Sequence, residues 1–451
     1  LREFIHRAEY SIRPDYCKQN SYIHKKIILN SIIAEKLYAL EAGDLPQIEI
    51  LLQGRKEQLM RQLLIFEEAF EKSELDSARL PALFDQAGRS YRLNYFSVSD
   101  PLLSEKIQLA FQKVGISFDT LFREISNEAM PEREFSWSDQ DIPQLHEALY
   151  LQPVHKGMTL GPFIDNDGKH LFVRVAGWTS LMAMGEKQVS QRWNDVSEYL
   201  TQIDAMKKYE AFAANLMKGQ KFELNERAFS DLLHFLAPGY LNNQSQKNSL
   251  LKSLFGKNYS EENPEFPTEM NLSDDATLLI LNGKALSIAD FRDMVRRHPL
   301  TFRAKTLNRE NFPQQLKFAI ADLIRDEALN NEARKRGYEK RPEVQRSMDM
   351  WRNAYKARAS RERLLANLPD GYDREEDERA ILRDIIEPHT QKLQEKYSDI
   401  IQINTSLLQK TELSKIDLMA LQPGQPWPVL APAFPIYTQD SRLDYGKVLE
   451  P

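Results

Sequence analysis

Three histidines, His146, His155 and His170, fall within one segment, where a metal centre or a proton relay would need them. Their spacing fits no recognised ligand pattern, so no metal site is predicted. Asp139 and Asp141 stand beside Trp137 in a stretch that reads as a turn in preference to an acid–base pair. Cys17 is the single cysteine, which excludes an intramolecular disulfide framework and any CxxC redox or metal pair. No GxGxxG, Gly-rich phosphate loop, HExxH or GxSxG is found, so nucleotide, zinc-protease and esterase chemistry have no foothold. His170 keeps two readings, a core histidine satisfied by a polar neighbour and a catalytic group. Phe96, Trp137, Leu145 and Phe163 likewise read either as sheet-and-helix core or as the apolar face that grips a peptide.

These residues need a scaffold, and the pattern around them supplies one. YRLNYFSV alternates with period two, setting Tyr91, Leu93 and Tyr95 against Asn94, Phe96 and Val98, and Asp100-Pro101 ends the strand. A helix or helix pair over 103–125 follows, with a break at Gly115. After FSWSD come a short helix near 143–150, the turn HKGM, and strands near 160–164 and 171–175 joined at Asn166, Asp167 and Gly168. The predicted order is strand, helices, helix, strand, strand.

Outside this segment one design occurs twice. REFIHRAEY leads to KKIILNSIIAEKLYALEAGD, and LNGKALSIADFRDMVRRHP leads to QLKFAIADLIRDEALNNEARKRGY. Each has a phenylalanine with basic followers (Phe4, His6, Arg7; Phe291, Arg296, Arg297) ahead of an apolar helix ending in Glu-Ala (Glu41, Ala42; Glu332, Ala333). A second helix repeats the spacing i, i+4, i+7, i+11 in Leu59, Leu63, Phe66, Phe70 and in Val344, Met348, Trp351, Tyr355, one helix face in each case. A third helix then runs into KFELNERAF or IIQINTSLL, where Phe222, Leu224, Asn225 and Phe229 match Ile401, Ile403, Asn404 and Leu408. Three elements in the same order predict a duplicated helical arm. Copy one carries an insert of roughly 110 residues, counted with the usual uncertainty of boundaries.

Composition sets the limits. At 451 residues and 42% hydrophobic the chain can build real cores, in two to four domains. A net charge of −6, with Lys and Arg interleaved among acids along helix faces, gives no footprint for nucleic acid. No apolar run is long enough to span a bilayer; the best, 27–40, is broken by Asn30, Glu35 and Lys36. The chain begins at Leu1, and REFIHRAEY lacks the upstream strand that TLLILNGKALS gives its twin. Residues before Leu1 are therefore expected, with a cleaved export signal as one source. Residues near 237–274 read as a polar linker with a helical patch at 250–255. The end, LQPGQPWPVLAPAFPIYTQDSRLDYGKVLEP, is too apolar for a solvated tail and should be extended and lie on an arm or a partner.

EFSWSDQDIPQLHEALYLQPVHKGMTLGPFIDNDGKHLFVRVAGW resembles the second half of a parvulin-type peptidyl-prolyl isomerase domain. In that family a Gly-Trp turn, a short helix, a Lys-Gly turn, a Gly-Pro strand and a Gly-x-His strand follow in order. Here they are Ser136-Trp137, 142–150, Lys156-Gly157, Gly161-Pro162 and Gly168-Lys169-His170. The arms resemble those of SurA-like extracytoplasmic chaperones, including PpiD and PrsA-like proteins. The resemblance implies two histidines back to back on neighbouring strands, a Cys or Asp facing the bond, and a Met and a Phe from the short helix. His170 matches the last-strand histidine, Asn94 stands at the first-strand histidine, no Cys or unambiguous Asp fills the third place, and Leu145 and Leu149 stand for Met and Phe.

The expected fold is therefore mainly α with an inserted α+β domain. Its parts are a first arm (1–83 and 181–235), a degenerate parvulin-like domain (84–180), a linker (236–274), a second arm without insert (275–413) and an extended tail (414–451). The resemblance implies a folding factor of a bacterial periplasm or cell envelope, binding unfolded or exported polypeptides, with weak or absent isomerase activity and no cofactor. An accessory subunit of an envelope export complex and a fully active isomerase are the alternatives.

Overall fold

The computed structural model describes residues 1–126, 128–165, 168–183, 185–241, 273–304, 306–369, 371–374, 376–414, 422 and 424–449. The expected helical patch at 250–255 lies outside them. In chain order the elements begin with α1 (Arg2–Glu9), α2 (Tyr22–Glu41), α3 (Ile48–Ile65) and α4 (Leu80–Ala87). Then come β1 (Arg89–Val98), α5 (Pro101–Leu109), α6 (Phe118–Ile125), β2 (Glu132–Phe135), α7 (Pro143–Tyr150), β3 (Thr159–Ile164), β4 (His170–Ser180) and α8 (Glu186–Met217). β5 (Phe222–Leu224), α9 (Glu226–Leu241), β6 (Thr277–Leu281), β7 (Lys284–Ser287), α10 (Ile288–Arg297), α11 (Phe312–Lys335) and α12 (Pro342–Leu365) follow. α13 (Glu378–Ile381) runs through a π turn into α14 (Glu387–Lys396), and β8 (Gln402–Ile403), α15 (Thr405–Lys410) and β9 (Lys447–Val448) close the chain. The fold is mainly α with small β parts, and among the described residues no helix is long and apolar enough to cross a membrane.

Two compact units divide the chain: residues 1–64, 220–301 and 323–451 form one, and residues 65–219 with 302–322 form the other. In the second unit β1 is central in a four-stranded antiparallel sheet of order β2-β1-β4-β3. The alternation of β1 gives the sheet two apolar faces. Tyr91 and Leu93 join Leu171, Val173 and Val175 beneath Leu145, Leu149 and Tyr150 of α7 and Val196 and Leu200 of α8. On the other face Phe96, Val98 and Phe172 pack against Ile107, Phe118, Leu121 and Phe122 of α5 and α6. The Asp100 side chain caps α5 ahead of Pro101, Ser117 caps α6, and Gly115 takes the left-handed φ of 68° that separates the helices. The sequence reading lacks both β2 and α4.

In the first unit the two helical hairpins exchange partners. α2 lies along α12, and α3 bonds the second part of α11, where Arg61 meets Asn330 and Asp326 and Glu57 meets Arg334. The matched asparagines do one job: Asn225 caps α9 by accepting from the Arg227 and Ala228 N–H groups, and Asn404 caps α15 by accepting from Leu407 N–H. β5 pairs antiparallel with β6, whereas β8 pairs parallel with β9. The stripe expected along the second helix of copy one is corrected. Val344, Met348 and Trp351 are buried, but Phe66 and Phe70 are 50% and 42% exposed. The buried face already runs through Met60 and Leu64, one residue on from Leu59 and Leu63, and the π turn over Phe66–Phe70 carries it on to Ala69.

Part of the expected extended tail lies among the described residues. Residues 424–449 run as a strap over the helices of the first unit, burying Trp427, Phe434, Tyr437 and Leu443. Interleaved charges are also not all solvated, as the helix pattern had suggested. Arg7 (0% exposed) and Glu35 (3%) form a buried ion pair, with Arg7 Nη2 donating to Glu35 Oε2 at 2.9 Å.

Candidate functional site

Between α7 and the sheet of the second unit lies a concavity of about 190 Å³. Its floor is Leu93, Leu145, Leu171 and Val173; its rim is Tyr95, Ser97, Arg133, Asp141 and Asp165. Period-two alternation brings Leu93, Tyr95 and Ser97 of β1 to the same side as Leu171 and Val173 of β4, and the first turn of α7 lowers Leu145 onto them. Arg133 of β2 holds Asp141 with two parallel bonds of 3.0 and 3.1 Å, each partner about a third exposed. Such a pair is worth under about 1 kcal/mol and serves mainly to fix both groups in place. Asp165 accepts from Ser97 Oγ at 3.0 Å and from the Lys169 N–H at 2.9 Å. An apolar cup with a few anchored hydrogen bonders is the result, and its lining holds no Cys, His or Lys.

The structure divides the residues singled out by sequence. Leu145 (2% exposed) lines the concavity. Leu149, one turn on and fully buried, belongs to the same core without lining the cup, and Phe163, opposite Leu171, packs half-buried at its edge. Trp137 faces α7, its ring centre 4.9 Å from that of His146. Phe96 lies on the opposite face of the sheet, stacked on Phe172 at 5.3 Å. Asn94 shares that face, accepting from Arg174 Nη2 at 2.8 Å, while the other Arg174 nitrogen meets Asp119.

His170 and Asn94 are not back to back. The antiparallel register sets Asn94 against Arg174 and His170 against Val98, four residues away along each strand. The even-numbered positions of β1 and β4 face away from the cup, so neither Asn94 nor His170 can tune a carbonyl held in it. Asp139 is the turn residue expected, accepting from Ser136 N–H and Oγ. Asp141 is the correction, since it stands on the rim. Arg133 and Tyr95 are also rim residues not singled out by sequence; Arg133 sits on β2, whose four residues EREF carry too little apolar pattern to read as a strand.

His146 is a further surprise. Its ring is enclosed by Trp137, Tyr150 and Tyr199, with Nε2 at 3.0 Å from the Trp137 carbonyl and Nδ1 at 2.9 Å from Tyr199 Oη. The neutral ring meets both, donating to the carbonyl and accepting from the phenol. Burial lowers its pKa below the ordinary 6.5, against the carbonyl bond that works to raise it. It is a satisfied core histidine. Among the described residues no three His, Cys, Asp or Glu side chains are grouped so as to hold a metal ion.

In the first unit the polar centre is Asp326. Burial works to raise its pKa, but the bond from His298 at 2.9 Å and the charges of Arg61 at 3.2 Å and Arg325 outweigh it and hold the carboxyl well below the usual carboxylate range. This network ties α3, α10 and α11 together. No protein-family model matches the chain, and no curated protein and no solved structure matches it significantly.

Proposed function

We propose that this chain is an extracytoplasmic folding factor of the SurA and parvulin-like type, with duplicated helical arms and a degenerate parvulin-like domain that holds segments of unfolded or exported polypeptides. The observation that carries the reading is the cup between α7 and the sheet, apolar at the floor and hydrogen-bonding at the rim. Its surroundings follow the family order: the Ser136-Trp137 turn, α7, the Lys156-Gly157 turn, β3 with Gly161-Pro162, and β4 opening at His170. The exchange of hairpins α2–α3 and α11–α12 and the shared capping role of Asn225 and Asn404 support duplication.

Rotation about an X-Pro bond faces a barrier of about 18–20 kcal/mol and needs no nucleophile, only a site that binds the twisted amide better than the planar one. The floor of the cup suits a proline ring. The carbonyl-tuning groups are what this cup lacks, since Asn94 and His170 face the other way. Binding without much turnover follows: ground-state contacts persist while the interaction special to the transition state is gone.

The test is a proline-limited refolding assay run beside peptide binding, with thermal stability recorded for every variant. The His170→Ala variant should bind as the unmodified chain does. Leu145→Gln, or Tyr95→Ala where the core must be spared, should weaken binding about tenfold. Strong turnover that vanishes in His170→Ala would make this an enzyme first, and co-purification with one partner at fixed stoichiometry would favour an accessory subunit.

A further inference from the structure

The strap over residues 424–449 is held in an unusual way for a chain terminus. Lys447 and Val448 of β9 pair with β8. Upstream of them several of the strap's carbonyls are taken by side chains. Gln58 brackets Trp427, accepting from its N–H and donating to its carbonyl, each at 2.8 Å. Arg55 donates to the Val429 carbonyl at 3.2 Å, Arg7 to Ala433 at 2.7 Å, Thr390 to Tyr437 at 2.9 Å, and Asn30 to both Asp440 at 2.6 Å and Arg442 at 2.8 Å.

The chemistry of the two sides is complementary. Pro426, Pro428, Pro432 and Pro435 remove main-chain donors from the stretch 426–435, so there carbonyls outnumber N–H groups and no regular ladder can form. The helices answer with donors: two arginines, a glutamine, an asparagine and a threonine, all but one on α1–α3. Arg7 and Glu35 are desolvated together, a cost offset by the two terminal nitrogens of Arg7, which bond Glu35 and the Ala433 carbonyl while the buried Nε stays unbonded. Between the carbonyl contacts, aromatic anchors sink into the helices. Trp427 (6% exposed) donates Nε1 to the Arg297 carbonyl at 2.9 Å, Phe434 is 6% exposed, and Tyr437 (5%) packs on Tyr38 with ring centres 4.5 Å apart.

Main-chain bonds for affinity and spaced pockets for side chains are how proteins recognise extended peptides as ligands. A donor-rich groove is also the matched receptor for a donor-poor, preformed extended chain. We infer that the face of α1–α3 closed by α12 and α14 is a peptide-binding groove, that the strap is its resident ligand, and that it takes other extended, proline-interrupted segments with spaced aromatics when the strap leaves. This goes beyond the cup between α7 and the sheet and concerns the first unit alone. It rests on the client-binding reading only for its use, and loss of peptide exchange with binding at the cup retained would separate the two.

The experiment places a protease recognition site between Ser414 and Gln422 of the full chain and cuts it, leaving the strap bound without a covalent link. A fluorescent synthetic peptide of residues 422–449 is then added. The labelled peptide should enter saturably, with a half-time at least tenfold shorter than that of global unfolding in the same buffer. A peptide carrying Trp427→Ala, Phe434→Ala and Tyr437→Ala should compete at least tenfold less well. Release of the strap only on unfolding, or equal competition by the substituted peptide, overturns the inference. Should the cut chain collapse, the uncut Trp427→Ala variant supplies the reading. It should take up more labelled peptide than the unmodified chain, and no increase overturns the inference equally.

Discussion

The sheet unit and the helical unit solve the same problem with opposite materials. Around β1 and β4 both faces are apolar, so Phe96 and Phe172 on one side and Leu93 and Val173 on the other bury hydrocarbon against helices. In the helical unit the interior admits Arg7, Glu35, Arg55, Glu57, Arg61 and Asp326, each bonded to a partner from a distant stretch of chain. Hydrocarbon packing is nondirectional and tolerates substitution of similar volume, whereas a buried ion network works only when every member is present. The first unit should therefore be the more specific and the more brittle of the two.

The largest expected effect tests that brittleness. Asp326→Leu would leave Arg61 and His298 facing a hydrocarbon, and breaking a buried network in this way costs about 3–5 kcal/mol. Denaturant unfolding should show the helical unit melting early while near-ultraviolet signals from Trp137 and Trp178 in the sheet unit persist; unchanged stability would undo the contrast. In the sheet unit, Leu149→Ala should cost about 2–5 kcal/mol, and Leu149→Met under about 1.5, because the site asks only for volume.

Next comes a close approach. Gly54 of α3 lies against the Arg297 carbonyl and the Trp427 indole, and a methyl group there would meet both. Gly54→Ala should cost about 1–3 kcal/mol and loosen the strap, readable as faster proteolysis between Gly424 and Tyr437. The smallest effect concerns the asparagine caps. Asn225→Ala and Asn404→Ala should each cost about 1 kcal/mol, and unequal losses would weaken the case for matched arms.

Acid sharpens the contrast from another side. Burial lowers the His146 pKa, so the unfolded chain binds more protons than the folded one once pH falls below the ordinary 6.5. Stability from this site is complete above that value and is lost as pH falls toward the depressed folded pKa. His6 and His389, both lowered chiefly by burial, act with the same sign in the helical unit, whereas Asp326 keeps its charge far into acid. Replacing His146 with Phe should flatten the pH 5–7 melting profile of the sheet unit and leave that of the helical unit unchanged. An unaltered sheet-unit slope would remove His146 from the account.

Much of this was legible in the sequence because local pattern and final structure agree. The alternation of 91–98, the Asp100-Pro101 stop, the break at Gly115 and the amphipathic run of α7 read correctly because each is decided within a few residues. The side of the sheet that forms a cup was not legible, because alternation separates two faces without saying what covers them. That is why the sequence groups Phe96 with Leu145, reads Asp141 as a turn residue only, and gives no sign of Arg133. The buried charges of α1–α3 were hidden for a related reason: a charged helix face reads as solvated unless its partner, hundreds of residues away, is known.

That separation along the chain has a kinetic consequence. Residues 65–219 hold the whole sheet and both of its cores, so most of the second unit can close as soon as they are made. The helical unit cannot, since Arg7 and the Ala433 carbonyl that it holds are 426 residues apart. At 5–20 residues per second, roughly 20–85 s of synthesis separates the two partners. For that interval α1–α3 carry their arginines and apolar grooves without the strap that covers them. Assembly order is thus written into connectivity: the sheet unit first, the helices last, with the strap over 424–449 as the closing latch.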